Sequence, residues 1–128
     1  MMNGSLFDTN VVIKIMNGTT ESPADIKKED IFISVITIGE LSYGASNSRM
    51  KDYNIKLFDN FISRYKVLKA DEKSALIYGE VKHRLKSKGV NVPENDMWIA
   101  AIAISNDLKL ITFDNHFEEI DNLDALIL

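Results

Sequence analysis

The fold is set by residues 31–40, which read Ile31-Phe32-Ile33-Ser34-Val35-Ile36-Thr37-Ile38-Gly39-Glu40. The first six residues are mostly apolar and β-branched, which predicts a buried strand over 31–36. Thr37 then marks the start of a helix that runs to about Asn47, with Glu40 in its first turn. A strand that passes directly into a helix is the repeating unit of a parallel sheet covered by helices.

The same alternation continues on both sides of this stretch. Before it, Leu6-Phe7 predicts a short strand, followed by a polar turn at 8–10 and an apolar helix over 11–16. After it, the pattern predicts helices over 52–64, 71–88 and 96–105, and strands over 65–68, 108–112 and 125–128. We therefore predict a single α/β domain over 1–128, a three-layer α/β/α sandwich with a central, mostly parallel sheet.

Composition narrows the classes of function. The 128 residues carry 15 Lys and Arg against 19 Asp and Glu, a net charge of −4, without the basic excess of many nucleic-acid-binding proteins. A bound metal ion would supply positive charge that this count omits. The absence of cysteine excludes disulfides, thiolate zinc sites and cysteine nucleophiles. With no signal-peptide pattern and no bilayer-length apolar run, we expect a soluble, cytoplasmic protein with no membrane association.

Four acidic residues fall where predicted strands end or helices begin: Asp8, Glu40, Asp96 and Asp114. Asp8 follows the first strand, Glu40 lies in the first turn after the second, and Asp114 comes two residues after the strand at 108–112. In a parallel sheet these positions meet at one edge, where ligands of open α/β folds bind. Asp96 joins them if its helix begins at that edge. Such carboxylates repel one another unless a hard divalent cation such as Mg²⁺ or Mn²⁺ binds them.

Each acid also has a purely structural interpretation. Asp8 suits an Asx turn at a strand end, and Asp114 suits a simple turn. Glu40 completes the capping-box pattern Thr37-x-x-Glu40, and Asp96 suits a helix start beside Asn95. Taken singly, each position is weak evidence for a metal site, but their shared placement at one edge favours it.

Two other classes of α/β protein share part of this pattern. A phosphatase of the haloacid dehalogenase type also has an aspartate after its first strand, but it needs another two residues later, where this chain has Asn10. A metal-free interaction module, such as an inactivated nuclease, needs none of the four acids. Their retention counts against such a module, which stays open as an alternative.

Four segments, in order, resemble the PIN-domain ribonucleases of the VapC toxin type: FDTN at 7–10, SVITIGELSYGA at 34–45, NDMWIAA at 95–101 and LITFD at 110–114. The resemblance covers nearly the whole chain. It implies a compact α/β/α fold, endoribonuclease activity dependent on Mg²⁺ or Mn²⁺, a VapB-type antitoxin as partner, and a homodimer.

The resemblance also implies roles for particular residues. Asp8 and Asp96 match the principal metal ligands of the family, and Glu40 and Asp114 match the other two catalytic, metal-binding acids. Asn95 and Thr112 match residues that support the site. The chain departs from the family in one place, because His116 stands before Phe117 where an aspartate is often found.

The predicted activity is therefore hydrolysis of phosphodiester bonds in structured RNA, with tRNA as one candidate, by metal-activated water. The predicted biological role is that of the toxin in a toxin–antitoxin pair. An RNA-processing PIN nuclease that is not a toxin and a catalytically weak PIN-like interaction module are the alternatives. The basic run over 82–88 is interpreted as a solvated helix end in preference to a phosphate contact, and His116 as a surface histidine in preference to a proton carrier.

Overall fold

The computed structural model describes residues 4–128, which form a sheet with helices on both of its faces. In chain order the elements are β1 (Ser5–Phe7), α1 (Thr9–Met16), β2 (Ile31–Ser34), α2 (Val35–Ser46), α3 (Lys51–Ile62), β3 (Lys66–Leu68), α4 (Glu72–Ser87), α5 (Glu94–Ser105), β4 (Lys109–Thr112) and β5 (Ala125–Ile127). Two 3₁₀ turns, Lys28–Asp30 and Asn115–Glu119, precede β2 and follow β4.

The five strands are all parallel and lie in the order β3-β2-β1-β4-β5. The first strand therefore occupies the centre, where Leu6 pairs with Phe32 on one side and with Leu110 on the other. Since every strand points the same way, all carboxyl ends meet at one edge of the sheet. The predicted parallel α/β/α sandwich is confirmed.

Alternate side chains of the strands fill two separate apolar layers. Leu6, Phe32 and Leu110 pack on one face against α4 and α5, whose buried residues include Leu85 and Ile99. The other face carries a second cluster of strand and helix residues: Phe7, Ile31, Ile33, Ile111, Val11, Val12, Leu41 and Phe61. Both faces of a parallel sheet are buried in this way, which explains the nearly continuous apolar runs in the sequence.

Two predicted boundaries were wrong in a way that matters for the site. The strand predicted over 31–36 ends at Ser34, and α2 begins at Val35, two residues before Thr37. Ser34 is the N-cap, because its hydroxyl accepts a hydrogen bond from the Thr37 amide at 3.2 Å. Asn95 likewise does not cap α5, which begins at Glu94 with Pro93 in the N-cap position. A short apolar run is compatible with a buried strand and with a buried helix, so the pattern at 31–38 did not show where the strand ends.

Two helices end close to glycines, near the positions where the sequence predicted that they would end. Gly18 and Gly89 follow α1 and α4 with φ of 73° and 71°, a conformation that other residues rarely adopt. Across residues 4–128, every helix is too short or too polar to cross a membrane.

Candidate metal centre at the carboxyl edge of the sheet

The structure brings all four predicted acids to one open cleft of about 550 Å³ at the carboxyl edge of the sheet. Asp8, Glu40, Asp96 and Asp114 line it, and we call it the acidic cleft. The four carboxylates arrive from different elements: the N-cap of α1, the second turn of α2, the first turn of α5, and the loop after β4. Glu40 was predicted in the first turn of its helix, but α2 begins at Val35 and so places it one turn later. Asp96 joins the others because α5 does begin at this edge, as the prediction required.

Asp8 is the most deeply placed of the four acids, with only 2% of its surface exposed. It is the N-cap of α1, and its Oδ1 accepts a hydrogen bond from the Thr9 amide at 2.8 Å. Its Oδ2 accepts one from the Thr112 hydroxyl at 2.7 Å. Burial raises the pKa of Asp8 to about 6; the Thr112 hydrogen bond opposes this rise, and the charges of Asp96 and Asp114 add to it.

Asp114 is held by contacts with the end of β4 and with the start of α1. Its amide donates to the Thr112 hydroxyl oxygen at 3.0 Å, and the side-chain nitrogen of Asn10 donates to its Oδ2 at 3.1 Å. Thr112 is fully buried, and its hydroxyl connects Asp8 to the backbone of Asp114 because it donates to the one and accepts from the other. The central neighbours β1 and β4 thereby fix two of the four carboxylates relative to each other.

Glu40 is held by a contact across the sheet edge and not by the predicted capping box. The Thr9 hydroxyl donates to Glu40 Oε1 at 2.7 Å and accepts from the Thr37 hydroxyl at 2.9 Å. The interpretation of Glu40 as a cap for Thr37 was therefore wrong, because Ser34 starts the helix and leaves Thr37 inside its first turn. With that structural role removed, Glu40 is free to face the acidic cleft.

Asp96 lies in the first turn of α5, and its Oδ2 is 2.7 Å from the Nε2 of His116. Burial raises the pKa of Asp96, although the hydrogen bond and charge of His116 oppose the rise. The negative charges of Glu40 and Asp114 add to it. Two of the four acids are thus destabilised as anions by their surroundings, which is typical of functional sites.

His116 is the residue whose position the sequence did not predict. It lies in the 3₁₀ turn after β4, with a side chain that is 30% exposed, and its imidazole contacts Asp96, one of the acids that line the cleft. Asp96, Asp114 and His116 each offer one ligand atom, and these atoms all lie within 4.8 Å of one another. The signal was present in the motif, since His116 occupies a place where the family often has an aspartate.

The two predicted supporting residues, Thr112 and Asn95, lie in different surroundings. Thr112 is buried beside Asp8, whereas Asn95 is exposed at the edge of the cleft. At the same rim, Lys82 forms an ion pair with Glu94 at 3.1 Å, so the first cation of the basic run is already engaged within the chain. Lys88, at the other end of the run, pairs with Asp121 at 3.5 Å.

The donor set fits a hard divalent cation. Four carboxylates supply the oxygen ligands that Mg²⁺ and Mn²⁺ prefer, and the open cleft leaves room for the waters that such ions retain. A cation would also offset the mutual repulsion and burial that raise the pKa of Asp8 and Asp96. Asp8, Glu40, Asp96 and Asp114 are the residues that would hold it.

A five-stranded parallel sheet between two helical layers, with acids clustered at its carboxyl edge, is the architecture of a known class of nucleases. Comparison with known proteins identifies that class. Residues 5–123 match the PIN domain, and the chain belongs to the PIN-domain family. Within that family it groups with the VapC ribonucleases. It is 33% identical to ribonuclease VapC2 of Rickettsia felis, over 96% of this chain and 94% of that protein.

Further relatives agree with this grouping. The chain is 31% identical to the tRNA(fMet)-specific endonuclease VapC of Salmonella typhimurium, over 94% of this chain and 92% of that protein. Among solved structures, it is similar to DNA-bound VapBC from Salmonella typhimurium, with a TM-score of 0.92 and 31% identity over 98% of both chains. It is also similar to VapBC2 from Rickettsia felis bound to a promoter DNA fragment, with a TM-score of 0.88 and 29% identity over 99% of both chains.

Proposed function

We propose that this chain is a divalent-metal-dependent endoribonuclease and the toxin of a toxin–antitoxin pair. The observation that carries the proposal is the acidic cleft, where carboxylates from four elements meet and two have raised pKa values. A purely structural set of acids would be dispersed or paired with lysine or arginine. In this set hydroxyl and amide donors hold Asp8, Glu40 and Asp114, and Asp96 contacts the imidazole of His116.

In this proposal the chain's own residues position the reaction. Asp8 and Asp96 are the principal metal ligands, and Glu40 and Asp114 complete the set. Thr112, Thr9 and Asn10 keep three of these carboxylates in place through the hydrogen bonds described above. A bound Mg²⁺ or Mn²⁺ would activate water and offset the negative charge that develops on the phosphodiester.

Structured RNA is the proposed substrate, and tRNA is the first RNA to test. A relative that is 31% identical over nearly the whole chain carries the name tRNA(fMet)-specific endonuclease. The acidic cleft is open, so an extended polynucleotide backbone could enter it without a lid. A metal ion would draw the phosphate into an otherwise negative site.

The proposed partner is a VapB-type antitoxin, because the similar solved structures from Rickettsia and Salmonella are VapBC complexes. An apolar groove of about 210 Å³ between α1, α2 and α3 offers a surface for it and borders Glu40. Met16, Ala45 and Phe58 line this groove. Tyr43 on α2 and Met50 just before α3 are 72% and 60% exposed, and we propose that they extend this surface. A homodimer stays a prediction.

The decisive experiment is cleavage of a tRNA pool by the purified chain with Mg²⁺ or Mn²⁺ and with a chelator. We expect cleavage only with metal, and a loss of at least about a hundredfold in Asp96→Asn, because a principal ligand is removed without changing side-chain size. Asp59→Asn, an exposed acid on α3, is the matched control and should cleave as the original chain does. Unchanged cleavage by Asp96→Asn would exclude the acidic cleft as the active site.

Two further measurements separate the alternatives. Binding of a divalent ion to the folded state must raise the free energy of unfolding by mass action, by about 2.7 kcal/mol when the free ion is at a hundred times Kd, and Tm rises with it. A metal-free interaction module should show no such shift. Expression of the chain should arrest growth, and co-expression of its antitoxin should restore it. Cleavage without growth arrest would favour an RNA-processing nuclease that is not a toxin.

A further inference from the structure

We propose that His116 is a nitrogen ligand of the ion held by Asp96 and Asp114, which biases the centre toward Mn²⁺ over Mg²⁺. This inference rests on the proposed metal-dependent function and deepens it. The four carboxylates would form an all-oxygen site by themselves, and the imidazole changes its chemistry. His116 is one of only two histidines in the chain, so its contribution can be isolated experimentally.

The imidazole of His116 lies close to two carboxylates, those of Asp96 and Asp114. Its Nε2 lies 2.7 Å from Asp96 Oδ2, and the ligand atoms of Asp96, Asp114 and His116 are mutually within 4.8 Å. A histidine that only oriented Asp96 from behind would be near a single carboxylate. His116 is within reach of both, so one cation with ligand distances of about 2.1 Å would need only small side-chain movements to contact all three.

The fold also holds the imidazole ring of His116 in place. His116 lies in the 3₁₀ turn that directly follows Asp114, and the next residue, Phe117, is almost fully buried with 1% exposure. The two rings are in contact, with centroids 4.8 Å apart. Because Phe117 anchors the turn in the core, the imidazole is held beside Asp96 at little further entropic cost.

An imidazole nitrogen also differs from a carboxylate oxygen in the metal ions that it favours. Mg²⁺ favours oxygen ligands almost exclusively. Mn²⁺ also binds carboxylates and water, but as a transition metal it accepts an imidazole nitrogen more readily than Mg²⁺ does. An aspartate at this position would make the site fully oxygen-based. The exchange of a carboxylate for an imidazole therefore predicts a shift in metal preference without a change in the overall site.

The experiment measures metal binding directly and does not depend on RNA cleavage. Calorimetric titration with MnCl₂ and with MgCl₂ gives the two Kd values for the original chain, His116→Gln, His116→Asp and the control His83→Gln. His83 lies exposed on α4 and is the other histidine. We expect His116→Gln to weaken Mn²⁺ binding about tenfold, with a clearly smaller effect on Mg²⁺, while His83→Gln binds both ions as the original chain does.

Pulsed electron paramagnetic resonance of bound Mn²⁺ provides the second measurement. Nitrogen-14 coupling should be present in the original chain and in His83→Gln, and absent in His116→Gln and His116→Asp. His116→Asp should also narrow the difference between Mn²⁺ and Mg²⁺ affinity, since it restores an oxygen ligand. Circular dichroism checks that each variant is folded, and two variants at the same position guard against a folding failure in either.

The outcomes distinguish this inference from the proposed function. Bound Mn²⁺ without nitrogen coupling, or an equal loss of affinity for both ions in His116→Gln, would overturn the ligand assignment and leave metal-dependent cleavage intact. If the original chain bound neither ion, both the inference and the proposed function would fall.

Discussion

Two aspartates cap helices in this chain and behave in opposite ways. Asp8 caps α1 and Asp71 caps α4, and each accepts a backbone amide and a hydroxyl hydrogen bond. The pKa of Asp71 is lowered, first by the Ser74 amide and then by the Ser74 hydroxyl. The pKa of Asp8 is raised to about 6, mainly by burial.

Similar hydrogen bonds at the two caps therefore do not decide in which direction the pKa of the capping aspartate shifts. Asp71 is exposed to water, so the hydrogen bonds from Ser74 outweigh the desolvation of its carboxylate and favour the anion. Asp8 is enclosed between β1 and β4 and faces Asp96 and Asp114, so burial and like charge outweigh similar donors. The same local motif therefore serves stability at one helix and forms part of a candidate ligand set at the other.

The largest effect should come from Asp8→Asn. Asparagine caps a helix as well as aspartate does, so α1 should be retained while a principal ligand is lost. We expect metal-dependent RNA cleavage to fall by at least about a hundredfold in a gel-based assay. Asp71→Asn, the matched cap substitution, should cleave normally; a similar loss there would mean that the two caps do not differ in function.

In the absence of metal, Asp8→Asn should be more stable than the original chain. The folded pKa of Asp8, about 6, lies above its ordinary value of 3.8, so its stabilising contribution is complete below the lower value and is lost as pH rises through the upper one. Asparagine does not titrate, so the advantage of Asp8→Asn should grow through this window toward roughly 3 kcal/mol. Urea unfolding with a chelator, from about pH 4 to about pH 8, measures it.

An intermediate effect is expected for Thr112→Val, which removes the hydroxyl between Asp8 and Asp114 and keeps the side-chain shape. Asp8 Oδ2 loses its 2.7 Å donor, and the Asp114 amide loses its acceptor. Cleavage should fall by about tenfold to a hundredfold, because the ligands remain but are less well oriented. Thermal unfolding at increasing metal concentration should show that Thr112→Val binds metal more weakly than the original chain. Unchanged metal affinity together with unchanged activity would argue that Asp8 is positioned by burial alone.

The smallest effect should come from Asp71→Asn and should concern stability alone. The lowered pKa of Asp71 means that its charge stabilises the fold above the ordinary value of 3.8, and that this contribution is lost as pH falls through the folded pKa. The variant should therefore unfold at slightly lower temperature near neutral pH, and the difference should vanish in acid. Thermal unfolding at several pH values tests this, and a difference that grew in acid would contradict it.

Much of the site could be predicted from position along the chain. Asp8 and Asp114 follow β1 and β4, and parallel strands carry such residues to one edge whatever the packing of the helices. Glu40 was placed correctly, but its competing role as a cap was removed only when Ser34 proved to start α2. That choice depends on where the chain leaves the sheet, which the β-branched residues at 35–38 do not reveal.

The sequence by itself determined the alternation of strands and helices, the acids at their junctions and the family resemblance, because these follow from periodicity and chain order. Only the tertiary structure decided that α5 begins at the carboxyl edge, that Thr9 holds Glu40, and that His116 reaches Asp96 from 20 residues away in the chain. The charge state of Asp8 was decided there too. Burial and the approach of distant charges are properties of packing, and neither is encoded in the residues adjacent to Asp8.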